Sequence, residues 1–222
     1  MIDPVSRIDL TGHLPVAQGA ERRVYLHPDR DDRVLKLIIP LAERKLNPRS
    51  MRGLTTRYFP SVLYRSTLAE QKEQARALCS WRDAWGRPPF ALHFGFVPTS
   101  LGWGAVAQRV AAPDGGVGPT LLQLARAGAL DARVLALLND TAARIARADL
   151  RASDLNAKNL VLGSRGGPEE VVLVDGFGDV HALPVRNWSR RANRTGLRHA
   201  FARIGGKLGL VWRDAEWRFH LP

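Results

Sequence analysis

Asp154-Leu155-Asn156-Ala157-Lys158-Asn159 gathers an acid, a lysine and an amide within six residues. Sixteen residues after Asn159, Val172-Leu173-Val174-Asp175-Gly176-Phe177-Gly178 ends an aliphatic run on a second acid followed by glycines. Carboxylate and amide oxygens are hard donors of the kind magnesium prefers, and a nearby ammonium can neutralise phosphate charge. These residue types suit metal-assisted phosphate chemistry. Far upstream, Lys36 sits between Leu35 and Leu37 in an apolar run, where a charge costs free energy unless it has a purpose. Asp and Asn also favour turns and helix ends whatever a protein does, and a lysine can snorkel from an edge strand. Their order along the chain carries more weight than any one of them.

Several elements must position these groups. Val24 to Leu26 and Val34 to Ile39 read as a hairpin around the turn Asp29-Arg30-Asp31-Asp32, with Pro28 opening it. A basic, proline-interrupted stretch runs from Pro40 to Pro60. Ser66 to Trp85 then has helix-forming composition, with Leu68, Leu78, Trp81 and Trp85 roughly on one side and Ser66 or Thr67 as cap. Phe90 to Val97 and Gly104 to Val110 read as strands, and Pro113 to Pro119 is the best linker candidate. Asp131 caps a helix to Ala148 whose Val134, Leu135, Leu138, Ala142 and Ile145 recur at helical intervals. Asn159 to Leu162 and Val171 to Val174 follow as two short strands around a glycine-rich turn. A mostly β first part and a mostly helical second part, hinged near Ala111 to Pro119, would leave a cleft between lobes, where small molecules favour binding.

The order strand lysine, helix glutamate, D-x-x-x-x-N loop, strand-end aspartate resembles the protein-kinase-like fold, whose pattern is H-R-D-x-x-x-x-N and then D-F-G after a short hairpin. The Asp154 to Asn159 spacing matches, and Asp175-Gly176-Phe177 is an altered D-F-G. The resemblance implies an α+β, bilobal protein-kinase-like fold: an antiparallel-sheet N-lobe over residues 1–111 and a short, mostly helical C-lobe over 112–222 with a basic helical tail. It implies that Asp175 and Asn159 hold magnesium, that Asp154 orients or deprotonates an acceptor hydroxyl, and that Lys158 neutralises the transferring phosphoryl group of ATP. Lys36 would bind the α and β phosphates. The glycine-rich pattern G-x-G-x-x-G-x-V falls on Ala17, Gly19, Arg22 and Val24. One glycine of three survives, so Gly19 would approach the phosphates and Arg22 would reach them by its side chain.

A narrower resemblance covers about Gly12 to Arg203. Val24-Tyr25-Leu26-His27-Pro28, Val34-Leu35-Lys36-Leu37-Ile38, His93-Phe94-Gly95-Phe96-Val97, Leu155 to Leu162, and Leu183-Pro184-Val185-Arg186-Asn187-Trp188-Ser189 are together similar to the YrbL family, bacterial proteins associated with the PhoP regulatory network. Of Glu70 and Glu73, that family's register selects Glu73 as partner of Lys36. Two departures matter. Ala152 and Ser153 stand where histidine and arginine are usual, which excludes regulation through an activation-loop phosphate on that arginine. No A-P-E motif follows Asp175, so a small or lipid-linked acceptor such as a sugar fits better than a protein. The alternatives are a pseudokinase acting as a regulatory nucleotide-binding module and a basic adaptor for nucleic acid or anionic surfaces.

The chain's 222 residues, 45% hydrophobic and 24% charged, exclude a disordered or fibrous protein. Its single cysteine, Cys79, excludes an internal disulfide and reads as a small core residue. That thiol, the absence of a membrane-length apolar run and the start Met1-Ile2-Asp3-Pro4 point to the cytoplasm. The net charge is +12, and from Arg186 onward nine basic residues face two acids, +7. Nucleic acid is a possible partner of that tail but not the favoured one. Trp188, Trp212 and Trp217 are expected to pack a terminal helix rather than stack bases, and His27, His93 and His181 to be structural.

Overall fold

The computed structural model describes residues 7–40, 43, 63–179 and 189–222. Expectations resting on Met1 to Pro4, residues 44–60, His181, Arg186 and Trp188 lie outside them. The chain is α+β, and its contacts divide it into two units: residues 1–68 with 92–109, and residues 69–91 with 110–222.

The first unit is built on a five-stranded antiparallel sheet of β1 (Ala17–Gln18), β2 (Arg22–His27), β3 (Arg30–Ile38), β4 (His93–Thr99) and β5 (Gly102–Gln108), in the order β1-β2-β3-β5-β4. The β2–β3 turn is tighter than the sequence suggests, because β3 already begins at Arg30, paired with His27. Alternation sends Leu35 and Leu37 to one face, where they pack with Leu10, Tyr25 and Val106. Lys36 therefore belongs to the other face. Val24 pairs with it from β2 and Ala105 from β5, so Val24, Lys36 and Ala105 form one row across the sheet.

Helix α1 (Arg65–Cys79) is shorter than the expected Ser66 to Trp85; a separate 3-10 turn covers Asp83–Trp85. Its buried positions are Thr67, Glu70, Glu73 and Ala77, whereas Leu68 and Leu78 are exposed. The expected apolar face is thus the wrong face. Cys79 lies on the exposed side as well, so it is a surface thiol and not a core residue.

The second unit contains α2 (Leu121–Arg126), α3 (Ala132–Arg147), the hairpin β6 (Leu160–Ser164) and β7 (Glu169–Leu173), α4 (Arg190–Leu208), and the hairpin β8 (Val211–Arg213) and β9 (Arg218–His220). Asp131 caps α3 as expected, accepting the Val134 N–H at 2.7 Å. The division of the chain differs from a single cut at residue 111. Residues 87–91 belong with the second unit because Ala91 N–H donates to Leu173 O, Phe90 packs on Phe177, and Arg165 donates to the carbonyls of Pro88 and Phe90. The proposed linker also lies inside this unit. Gly118 approaches β6 so closely that a Cβ there would sit 2.1 Å from Leu162 O.

Trp212 and Trp217 pack as expected: Trp212 stacks on Phe201 of α4 at 4.7 Å, and Trp217 meets both rings edge-on. Asn139 fixes β9 by exchanging two hydrogen bonds with the Phe219 backbone. No helix among the described residues is long and apolar enough to cross a membrane.

Candidate functional site

Gly176 ties together the two loops singled out by sequence. Asp154 N–H donates to Gly176 O at 3.1 Å, and Gly176 N–H donates to Asp175 Oδ1 and Glu70 Oε1, both at 2.9 Å. Gly176 has φ 82°, and a Cβ on it would sit 2.4 Å from Asp154 O and 2.6 Å from Asn159 Nδ2. Glycine is dictated there by backbone and by space. Gly178 repeats the device against α1, since its Cβ would lie 2.6 Å from Ala69 O. Its carbonyl accepts from the Ser153 backbone N–H and hydroxyl, so Ser153, in the place of the usual arginine, spends its side chain on the loop itself.

The remaining bonds fix each functional group. Asn159 Nδ2 donates to Asp154 O at 3.0 Å and to Asp154 Oδ2 at 3.4 Å, while Asn159 O accepts Val174 N–H at 2.9 Å. The amide nitrogen therefore faces Asp154, and Oδ1 is the atom left to meet a cation. Asn156, which sequence reasoning passed over, donates from Nδ2 to both Asp154 O and Asp154 Oδ1 at 2.9 Å and accepts Lys158 N–H on Oδ1. The bond from Lys158 N–H to Asn156 Oδ1 is an Asx-turn, for which an asparagine in a loop is the signal in the chain. Asp154 and Lys158 are exposed, Asn159 is buried and Asp175 is half-buried. The structure thus brings Asp154, Asn159 and Asp175 into one bonded cluster, with Glu70 as the acid that α1 adds.

Glu73 has a different place. Its carboxylate accepts Arg76 Nε at 2.9 Å, Arg76 Nη2 at 2.5 Å and the Arg151 N–H at 2.8 Å, with Arg151 Nη1 3.6 Å away. It is committed within the second unit to the base of the catalytic-type loop. The Glu73 hydrogen bond in turn holds the Arg76 guanidinium above its ordinary pKa, against the opposing pull of burial. Arg76 also donates to Asp149 O, so α1 carries the loop from two points.

In the first unit, Lys36 is a buried cation on β3. Arg22, also buried, directs Nη2 to the Ser66 hydroxyl, and that bond holds its side chain on the protein. Gly19 N–H donates to Arg22 O in the β1–β2 turn; a Cβ on Gly19 would meet nothing nearer than 3.9 Å. Neither sterics nor a positive φ requires glycine at that position. His93 is buried and His27 accepts Asp29 N–H, which fits structural roles.

Asn159 Oδ1 and the Asp175 carboxylate supply two hard oxygens. No three His, Cys, Asp or Glu side chains gather into a metal cage among the described residues. A pair of oxygens suits magnesium, which keeps waters and takes its other ligands from phosphate.

The chain is thus an α+β protein with a buried lysine on its five-stranded sheet and, in the second unit, a D-x-x-x-x-N loop bonded to a strand-end aspartate. A profile of the family described as PhoP regulatory network protein YrbL matches residues 8–209, and the chain belongs to that family. No curated protein sequence matches it. Among solved structures, the Mycobacterium tuberculosis PknI kinase domain is similar: a cysteine-to-alanine variant at 18% identity, over 91% of this chain and 73% of that one, TM-score 0.47. The unsubstituted domain shares 17% identity over 93% of this chain and 78% of that one, TM-score 0.46.

Proposed function

We propose that this protein is kinase-like, binds ATP with magnesium and transfers the γ-phosphoryl group to a hydroxyl of a small or lipid-linked acceptor. The observation that supports it best is the Gly176 lock, which bonds the loop of Asp154 and Asn159 to the strand end of Asp175. Asn159 Oδ1 and Asp175 would hold the metal, which when bound spreads the negative charge of the phosphates. Asp154, bracketed by the amides of Asn156 and Asn159, is held in position to orient an acceptor hydroxyl and take its proton. Lys158, exposed on the same loop, supplies positive charge where the transferred group gathers it. Lys36 contributes a phosphate contact from the first unit, and Arg22 and Gly19 are weaker candidates for the same purpose. Of the two glutamates, Glu70 has the direct bond into the Gly176 turn. A reaction drawing on ATP belongs in the cytoplasm.

Calorimetry and thermal shift with ATP and magnesium test this reading. Binding should be seen in the native chain and lost in Asp175→Ala and Lys36→Ala, since ligand binding to the native state raises apparent stability. Asp154→Ala should keep binding while phosphate release or transfer falls by about 100-fold or more. Undiminished turnover in pure Asp154→Ala would refute its role. Glu70→Gln should weaken metal-dependent binding more than Glu73→Gln. Ser153 favours one second reading, a pseudokinase, because its side chain serves the loop where kinases carry a functional arginine. Binding without turnover in the native chain would select it.

A further inference from the structure

A second cluster of charge lies in the second unit, lined by no residue of the Asp154 and Asp175 loops, and needs nothing from the reading given to them. Where the end of α3, the start of α4 and the β8–β9 hairpin meet, a cavity of about 210 Å³ is lined by Ala146, Arg147, Asp149, Arg190, Arg194, Leu197 and Trp217. Three of those seven residues are arginines and one is an acid. Asp149 is already served: Asn193 Nδ2 donates to its Oδ1 at 2.8 Å, and Arg190 Nε stands 3.4 Å from its Oδ2. Arg147 and Arg194 carry the excess.

The Trp217 ring of the lining also meets cations, with the guanidinium carbons of Arg194 and Arg198 at 5.0 and 5.6 Å from it. Asp149 and Trp217 are, among the described residues, the two non-glycine positions with positive φ, 47° and 54°. Backbone strain of this kind gathers at ligand clamps, and here both instances line one cavity.

We propose that this cavity binds a small phosphate-bearing anion through the guanidinium groups of Arg147 and Arg194. Phosphate oxygens are acceptors that match arginine forks. The volume falls below the roughly 300–1,000 Å³ of pockets for drug-sized ligands, which favours inorganic phosphate or a short phosphomonoester over a nucleotide. Leu197 and the Trp217 ring give the few carbons of a monoester an apolar wall.

Titration of the full chain with inorganic phosphate at fixed ionic strength, followed by calorimetry and tryptophan fluorescence, tests the site. Saturable binding is expected, weakened about tenfold or more in Arg147→Gln and in Arg194→Gln. Arg126→Gln, an exposed arginine of α2, should bind as the native chain does, and so should Asp175→Ala. Trp217→Phe keeps the apolar wall and should bind about as the native chain does. Circular dichroism and melting of each variant separate lost binding from lost folding. Flotation with phosphatidic acid vesicles, against phosphatidylcholine vesicles, identifies the source: vesicle binding that Arg194→Gln abolishes and free phosphate competes away supports the site with a lipid headgroup as its anion. Absence of saturable phosphate binding together with vesicle binding equal in all variants overturns the proposal, as does an Arg126→Gln loss as large as that of Arg194→Gln.

Discussion

Helices α1 and α3 are of nearly equal length and both bury one face, but α3 buries an apolar stripe and α1 does not. The hidden side of α3 centres on Val134, Leu138, Ala142 and Ile145, all 0–1% exposed, with Asn139, Thr141 and Arg144 buried beside them. The hidden side of α1 is Thr67, Glu70, Glu73 and Ala77, and its leucines face out. Hydrophobic burial explains why α3 is where it is. On α1 the buried acids instead receive the backbone N–H groups of Gly176 and Arg151, so that helix is seated by the loops it serves. A helix whose buried face is polar has been placed by a site rather than by a core.

The largest expected effect is on α3. Leu138→Ala should lower unfolding free energy by about 3 kcal/mol, through lost transfer energy and the cavity left behind. Glu73→Ala should cost about 2 kcal/mol, since it strips a buried acceptor from the Arg151 N–H and from Arg76. Urea unfolding of both variants measures the difference. A Glu73→Ala change as harmless as a surface substitution would mean that α1 is held by something other than its acids.

A smaller effect follows from a buried charged cluster at the end of α3. Arg144 reaches Glu170 at 3.3 Å, and Arg165 grips the same carboxylate with two bonds of 2.9 and 2.8 Å. Burial pushes the Glu170 carboxyl up, but Arg165 and Arg144 outweigh it and hold the group below its ordinary 4.5. A depressed carboxyl stabilises the fold above its unfolded value and loses that contribution as pH falls through the folded value. The stability gap between the native chain and Glu170→Gln should therefore be widest near neutrality and close below about pH 4. Melting temperatures of the two across that range check it.

The same contrast shows which parts of the molecule were legible in the sequence. Helix α3 could be read to its cap because apolar period and capping aspartate agree. The hairpin β6–β7 and the strand lysine were legible for a similar reason, since aliphatic runs have few other uses. The D-x-x-x-x-N loop and Asp175 were readable as types and spacing, and the structure bonds them to each other through Gly176. The separate anchoring roles of the two α1 acids were not. Glu70 and Glu73 lie one helical turn apart on one face, and only tertiary bonds separate the acid at the Gly176 turn from the acid at the Arg151 amide. Near Pro113 composition signals turning but not that Gly118 also serves close packing on β6.

The finest test lies on the outer side of α1, where the sequence pattern and the structure disagree most directly. If the apolar positions of that helix formed a core face, Leu68→Ser and Leu78→Ser would each cost as much as Leu138→Ala. With Leu68 51% and Leu78 39% exposed, each should instead stay within about 0.5 kcal/mol of the native chain. Cys79 gives an independent reading of the same surface without mutation. An exposed thiol should react with a disulfide reagent in the native state at nearly the rate of the unfolded chain, whereas a core thiol would wait for unfolding. Slow labelling of Cys79 together with a costly Leu78→Ser would turn the helix over and return α1 to the same class as α3.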